Sequence, residues 1–218
     1  MAVVSPGKKP RRTQEERSAG TRGKIIAAAI DCLCRLGLPA TSVLLVAERA
    51  GVSRGAMLHH FPTRIDLMLA VMSHVFDEHL DHYRLVLEPI SDPMERFICV
   101  AEEAWELHCQ PGAIAAMEIT LATRSDPKLA AALAPLSDEI ETRSRKGHWE
   151  IARAAGFTDP AEVEARRRLF IAAARSLALE LALERDPSGP RAALALLKRQ
   201  ATDLVTNRRS QPTGTRRR

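Results

Sequence analysis

The chain has 218 residues, 45% of them hydrophobic and 27% charged, with a formal net charge of +5. That composition supports one or two folded domains with an ample core and excludes a helical membrane span, since no apolar run nears the ~18 residues a span requires. Charge is unevenly placed: residues 1–70 hold eleven Lys/Arg and five Asp/Glu, residues 71–207 sixteen and twenty-two, and residues 208–218 five Arg and no acid.

Residues 1–20 are rich in Pro, Gly, Ser and charge without an apolar period, and are predicted to be a disordered basic segment. The basic residues near the start are not followed by an apolar region, so no signal peptide is expected and a cytoplasmic location is. From Thr21 to Leu36, Ile25, Ile26, Ala29, Ile30, Leu33 and Leu36 recur at helical spacing, and Gly37 with Pro39 should stop that helix. Thr41 or Ser42 can cap a second, short helix that ends at Gly51 and carries an apolar stripe of Val43, Val46, Ala47 and Ala50. Ser53 caps a third. There Met57 and Phe61 lie one turn apart and face inward, which turns Arg54, Gly55, Ala56, Leu58 and His59 outward. A short helix, a glycine turn and a second helix with a small, basic outer face is the helix-turn-helix layout, near residues 42–61, whose second helix enters the major groove.

Thr63, with Asp66 three residues on, should start a helix of more than twenty residues running to Pro89. Its length outruns a three-helix module, so it must pack on whatever follows. Polar caps and prolines then divide the body into helices near 92–109, 112–124, 126–155, 160–185 and 190–206. No strand alternation or internal repeat is visible. The expected fold is all-α: a three-helix DNA-binding domain over residues 21–70, a larger helical body over 71–207, and a disordered basic tail over 208–218.

Residues Thr41 to Arg64 resemble the TetR family of bacterial transcriptional regulators. The likeness rests on Thr41-Ser42, Val46-Ala47, Ala50-Gly51-Val52-Ser53, Gly55, His60-Phe61 and Arg64, and extends over Arg22 to Ala70. Leu58 departs from it, standing where the family has a phosphate-binding Tyr, and Arg64 replaces a Lys while keeping the charge. Leu44 and Leu45 stand where polar residues are usual. The resemblance implies a homodimer that binds a palindromic double-stranded DNA operator and is released by a small-molecule effector. Arg54, Gly55, Ala56 and His59 are the expected base contacts; Thr41, Ser42, Ser53, His60 and Arg64 are the expected phosphate contacts.

In the body, Phe76, His79, Tyr83, Phe97, Trp105, His108, Cys109, Met117 and Trp149 are candidates to line an effector pocket, each with ordinary core packing as the alternative. Leu169, Phe170, Ala173, Leu177, Leu181, Leu194, Leu197 and Ala201 are candidates for a dimer interface of the last two helices. His74, His79 and His82, with Glu78 and Asp81 nearby, have the residue types of a metal site but lack a full ligand set, so no metal or cofactor is assigned. Cys32, Cys34, Cys99 and Cys109 have no zinc-binding spacing and read as reduced thiols, with redox sensing as the lesser reading. No Gly-rich phosphate loop, GxSxG or HExxH motif suggests an enzyme. The alternatives are a helical adaptor using Leu44 and Leu45, or a metal- or redox-responsive regulator of the same fold.

Overall fold

The computed structural model describes residues 14–183 and 186–209. The segment before residue 14 and the tail beyond residue 209, both expected to be disordered, lie outside the described residues. Among the described residues the chain forms nine α-helices and no strand, and no helix is long and apolar enough to cross a membrane.

Helix α1 (Gln14–Ala40) begins at Gln14 rather than Thr21. The sequence at its start, Gln-Glu-Glu-Arg, has no apolar period to signal a helix, yet these are good helix-forming residue types. Ile25, Ile26, Ala29 and Leu33 are buried as their spacing predicts, but Leu36 is 43% exposed. The cause is Gly37, whose φ of 72° and ψ of 170° break the helical path and turn Leu38 into the core in place of Leu36. That backbone region is nearly restricted to glycine.

Helix α2 (Val43–Ala50) is capped by Ser42, whose Oγ accepts from Leu45 N–H at 3.1 Å. Gly51 ends it in the left-handed region (φ 65°), with Val52 N–H reaching Ala47 O at 3.0 Å and Gly51 N–H reaching Glu48 O at 3.1 Å. This pair of bonds is a Schellman stop. Helix α3 (Arg54–His60) starts at Ser53, whose Oγ accepts from Ala56 N–H at 3.1 Å. Met57 and Phe61 are buried, so α3 turns its other face to solvent as expected. Helix α4 (Arg64–Leu87) opens with a complete capping box between Thr63 and Asp66.

The body consists of α5 (Pro93–His108), α6 (Pro111–Ala122), α7 (Pro127–Ala154), α8 (Pro160–Leu183) and α9 (Ser188–Arg209). Asp92 and Asp126 cap α5 and α7 as read from sequence. Helix α6 is apolar almost all round, the pattern of a helix packed on several sides. It lies between α1 and α4. Ala115 and Ile119 of α6, with Leu129 and Leu133 of α7, join the core formed by α1 to α4. One core therefore runs from the helix-turn-helix into the body.

Three polar contacts pin the break in α1. Glu118 Oε2 accepts from Leu38 N–H at 3.2 Å, Arg64 of α4 donates to Leu38 O, and Thr41 Oγ1 donates to Gly37 O at 2.8 Å. A Cβ added at Gly37 would stand 3.2 Å from Glu118 Oε2 as well as forcing a strained φ. Gly37→Ala should thus cost roughly 1–3 kcal/mol, read as a lower chemical-denaturation midpoint. An unchanged midpoint would mean that the break relaxes without cost.

Candidate nucleic-acid interface and ligand cavity

The outer face of α3 presents Arg54, Gly55 and His59 to solvent, with Ala56 half-buried. Arg54 makes no ion pair among the described residues, in contrast to Arg49 and Arg35, which both hold Asp31 at 2.5 Å. Gly55 has open space where a Cβ would stand, the nearest atom being Ser53 Oγ at 3.9 Å. Folding therefore does not require glycine there. A bare backbone on an exposed helix start suits close approach by an outside surface.

The expected phosphate contacts divide. Ser42, Ser53 and Arg64 are exposed, with the two serine oxygens accepting helix N–H groups and one Arg64 nitrogen committed to Leu38 O. Thr41 must be withdrawn from the set: it is 1% exposed, and its hydroxyl donates inward to Gly37 O. Ser42, one residue on, is the cap. Burial, with His59 and Arg22 nearby, lowers the His60 pKa, so at neutral pH it offers a hydrogen bond rather than a charge. The Arg22 guanidinium lies 5.4 Å from the Phe61 ring centroid, which holds an α1 cation beside the recognition helix. Leu45 packs against the core while Leu44 stays exposed, as does Leu58. Separate exposed leucines are ordinary and do not make an adaptor groove.

Helices α4 to α9 surround a cavity of about 910 Å3. Phe76, His79, Tyr83, Phe97, His108 and Met117 line it. Trp105, Cys109 and Trp149 do not. Trp105 is buried with Ala174, Ala178 and Leu194, Cys109 packs on that cluster, and Trp149 packs against Ala152, Phe157 and Val163. These side chains fill the seams between helices behind the cavity wall. Sequence reasoning missed the polar lining on α7 and α8: His148, Arg143, Arg166, Arg167 and Arg175. Charge on those helices reads as a solvated face until the helix crossings are known.

The cavity's imidazoles are held neutral. Burial pushes His79 and His148 down to about 4, with nearby cations adding to the effect, and lowers His108 as well. His108 Nδ1 lies 2.5 Å from Ala104 O and so carries the proton, leaving Nε2 to accept from Arg175 Nε at 3.4 Å. Burial raises the Tyr83 hydroxyl above its ordinary value, so it stays a neutral donor. Arg167 is buried and clasped by Glu164 at 2.8 Å, by Glu141 and by Ser144 at 3.3 Å. The Arg167 hydrogen bond, aided by Arg168, holds Glu164 at about 2.

The histidines considered as a metal set go separate ways. His74 pairs with Glu78 at 3.2 Å, His82 Nε2 lies 2.5 Å from Glu103, and His79 rests beside the His108 ring. Burial raises the pKa of all four thiols, which makes them poor nucleophiles, and Cys34 Sγ donates to Pro111 O at 2.9 Å.

The interface candidates on α8 and α9 are mostly used within the chain. Leu194 is buried, and Phe170, Leu177 and Leu181 pack on the same cluster; Leu197 lines the cavity and Ala173 is half-buried. The Ala201 side chain lies outside the described residues. Leu169, at the cavity's edge, is the exposed exception at 69%, and Leu183 (75%) and Leu196 (49%) join it on the outer faces of the two helices. Exposure here depends on which stripe the body claims, which helical spacing alone does not reveal.

The comparisons with known proteins agree with this geometry. The family model for bacterial regulatory proteins, tetR family, matches residues 25–71. The chain is 34% identical over 122 residues to the HTH-type transcriptional regulator CymR of Pseudomonas putida, covering 55% of this chain and 59% of that protein. It is 39% identical over 72 residues to the HTH-type transcriptional regulator TtgR, also of P. putida, covering 33% of each. The match to CymR thus spans less than two thirds of that relative. A solved transcriptional regulator from Rhodococcus sp. Rha1 is similar over 84% of this chain and 96% of its own, with a TM-score of 0.65 and 23% identity. One from Saccharomonospora viridis, solved in complex with choline, is similar over 86% and 96%, with a TM-score of 0.61 and 17% identity. At these identities the solved structures speak for the fold alone.

The neutral histidines carry a testable sign. The unfolded chain takes up these protons near pH 6.5, whereas the folded state resists them down to about pH 4 at His79 and His148. Stability contributed by keeping them neutral is therefore lost as pH falls through that window. The thermal midpoint should drop from pH 6.5 to 4, and His148→Leu should make that drop shallower. An identical slope in the variant would show that His148 is not held neutral.

Proposed function

We propose, from the match of residues 25–71 to the tetR family model and the likeness to HTH-type transcriptional regulators, that the chain acts as a homodimeric repressor of the TetR family, bound to a palindromic operator and released by a small molecule. The observation that carries this reading is the outer face of α3. It offers a cation without an ion-pair partner among the described residues and a glycine whose Cβ space is open. On this reading Arg54 forks onto a guanine edge, the Ala56 methyl meets a thymine methyl, and His59 reaches a base edge beside them. Ser42, Ser53, His60 and Arg64 fix the register on phosphate, and Leu58 lies against sugar or base methyl groups. Such a protein acts in the cytoplasm, where the DNA is.

Two half-sites require two recognition helices roughly 34 Å apart, which a dimer supplies. Leu169, Leu183 and Leu196 give the outer faces of α8 and α9 the apolar character such an interface needs. Effector control is supported by α6, whose Met117 and Thr120 face the cavity while Glu118 holds Leu38 of α1. At the N-terminus of α6, Cys34 bonds Pro111 O, and a Cβ on Gly112 would stand 3.0 Å from Val75 Cγ2 of α4. A ligand that favours one seating of α6 shifts α1 and tilts α4, which alters the separation of the two recognition helices. Coupling of this kind is typically ~1–3 kcal/mol.

The first test is selection of bound sequences from a random duplex pool with the purified protein. An enriched inverted repeat with a steep salt dependence is expected; binding that ignores sequence would overturn the reading. Against the selected operator, Arg54→Ala should cost about 1–3 kcal/mol and relax a single base position. Equal loss on every sequence would remove it from base reading. Gly55→Ala should leave the fold as stable or add up to ~1 kcal/mol through helix propensity, yet weaken operator binding. Undiminished affinity would show that DNA does not approach this backbone. Leu169→Glu with Leu183→Glu should halve the mass measured by light scattering, and an unchanged dimer would place the interface elsewhere.

A further inference from the structure

The cavity wall has an uneven charge balance. Four arginines line it, and three are matched to carboxylates: Arg143 to Glu139 at 3.4 Å, Arg166 to Glu162 at 2.6 Å, and Arg167 to Glu141 and Glu164. Arg175 is the fourth: among the described residues no carboxylate lies within ion-pair distance of it, and Glu141 acts on it only from further off. The acidic side chain that does line the cavity, Glu141, is taken by Arg167 and by Arg168 at 3.2 Å. A cation entering here finds excess positive charge and no unclaimed carboxylate.

Arg175 is also oriented. Its Nε donates to His108 Nε2 at 3.4 Å, and that acceptor exists because the His108 proton sits on Nδ1, against Ala104 O at 2.5 Å. With Nε donating to His108, the two terminal nitrogens remain as a pair of donors whose spacing matches the two oxygens of a carboxylate. Away from the arginines and histidines much of the wall is apolar, with Val75, Phe76, Phe97 and Met117 around a space of about 910 Å3. A body of aromatic or fatty character would fill it.

From this juxtaposition of an oriented, unmatched guanidinium and an apolar chamber, we propose that the effector is an amphipathic organic monocarboxylate whose carboxylate is received by Arg175. The inference rests on the reading of the cavity as the effector site. Arg175 positions the anion, and His108 positions Arg175. Arg175 keeps solvent exposure, so the expected gain is that of a charge-assisted hydrogen bond rather than of a fully desolvated pair.

The experiment is calorimetric binding of matched probes to the full chain. The anions are 2-naphthoate and decanoate, the neutral counterparts 2-naphthamide and decanol, and the cation decyltrimethylammonium. Each carboxylate should bind about tenfold or more tightly than its neutral counterpart, as a charge-assisted hydrogen bond implies. A preference for naphthoate over decanoate, or the reverse, identifies the ring or chain source of the anion. Arg175→Met should abolish the preference while leaving the neutral probes' affinity within about twofold, and Arg175→Lys should restore part of it. Equal affinity for anion and neutral probe, tightest binding of the cation, or a preference that survives Arg175→Met would overturn the assignment while leaving the cavity as a ligand site. If no probe binds, the effector-cavity reading falls with it. Should Arg175→Met change the mass measured by light scattering and not the preference, Arg175 belongs to a subunit contact and the proposal fails.

Discussion

The structure depends on an interruption. Helix α1 runs as one rod until Gly37, where a glycine-only backbone geometry turns the chain and leaves Leu38 to be held from outside the helix. Its N–H goes to Glu118 of α6 and its carbonyl to Arg64 of α4. The Gly37 carbonyl is held by Thr41, just before the recognition motif begins. Peptide groups near a helix end must find partners, and here those partners come from three directions. The turn that sets the path into α2 is thereby fastened to two of the helices that wall the cavity.

How α6 carries this load follows from its composition. A helix that is apolar nearly all round has no face to give to water, so it is pressed between neighbours. Ala115 and Ile119 complete the core beneath the helix-turn-helix, and Met117 and Thr120 look into the cavity. Glu118 is its lone acid, placed at the break in α1. Gly112 lets its first turn approach Val75 more closely than any side chain would allow. Little in this packing can yield without moving α1 or α4, because close-packed interiors transmit strain rather than absorb it.

Much of the fold was legible because its signals are local. The Gly51 stop, the Ser53 cap, the Thr63–Asp66 box and the inward Met57–Phe61 pair each depend on residues within one or two turns. Legibility ended where a decision belonged to distant residues. Either Thr41 or Ser42 can cap a helix, and the choice fell to Ser42 because the Gly37 geometry offers Thr41 a carbonyl. Leu36 fits the stripe of α1 but lies just before the break, past which Leu38 takes the core position. Phe76, Tyr83 and Met117 were identifiable as large residues on inner faces. Arg175 and His148 were not, since their place in the cavity wall is set by how α7 and α8 cross the rest of the body.

The shared core also bears on how separable the parts of this molecule are. The family match ends at residue 71, and the sequence alone suggests a boundary near the same point. No seam exists there: Val71 and Val75 lie in one buried cluster with Ile25, Ala115 and Leu129, drawn from four helices. A fragment cut at that position would expose the underside of its own recognition helices. A chimera that exchanges the ligand-binding body for a relative's would have to carry α4 whole and keep α6 matched to the break in α1. Homology marks where a sequence pattern stops, whereas the unit that can be transplanted is set by which side chains share a core.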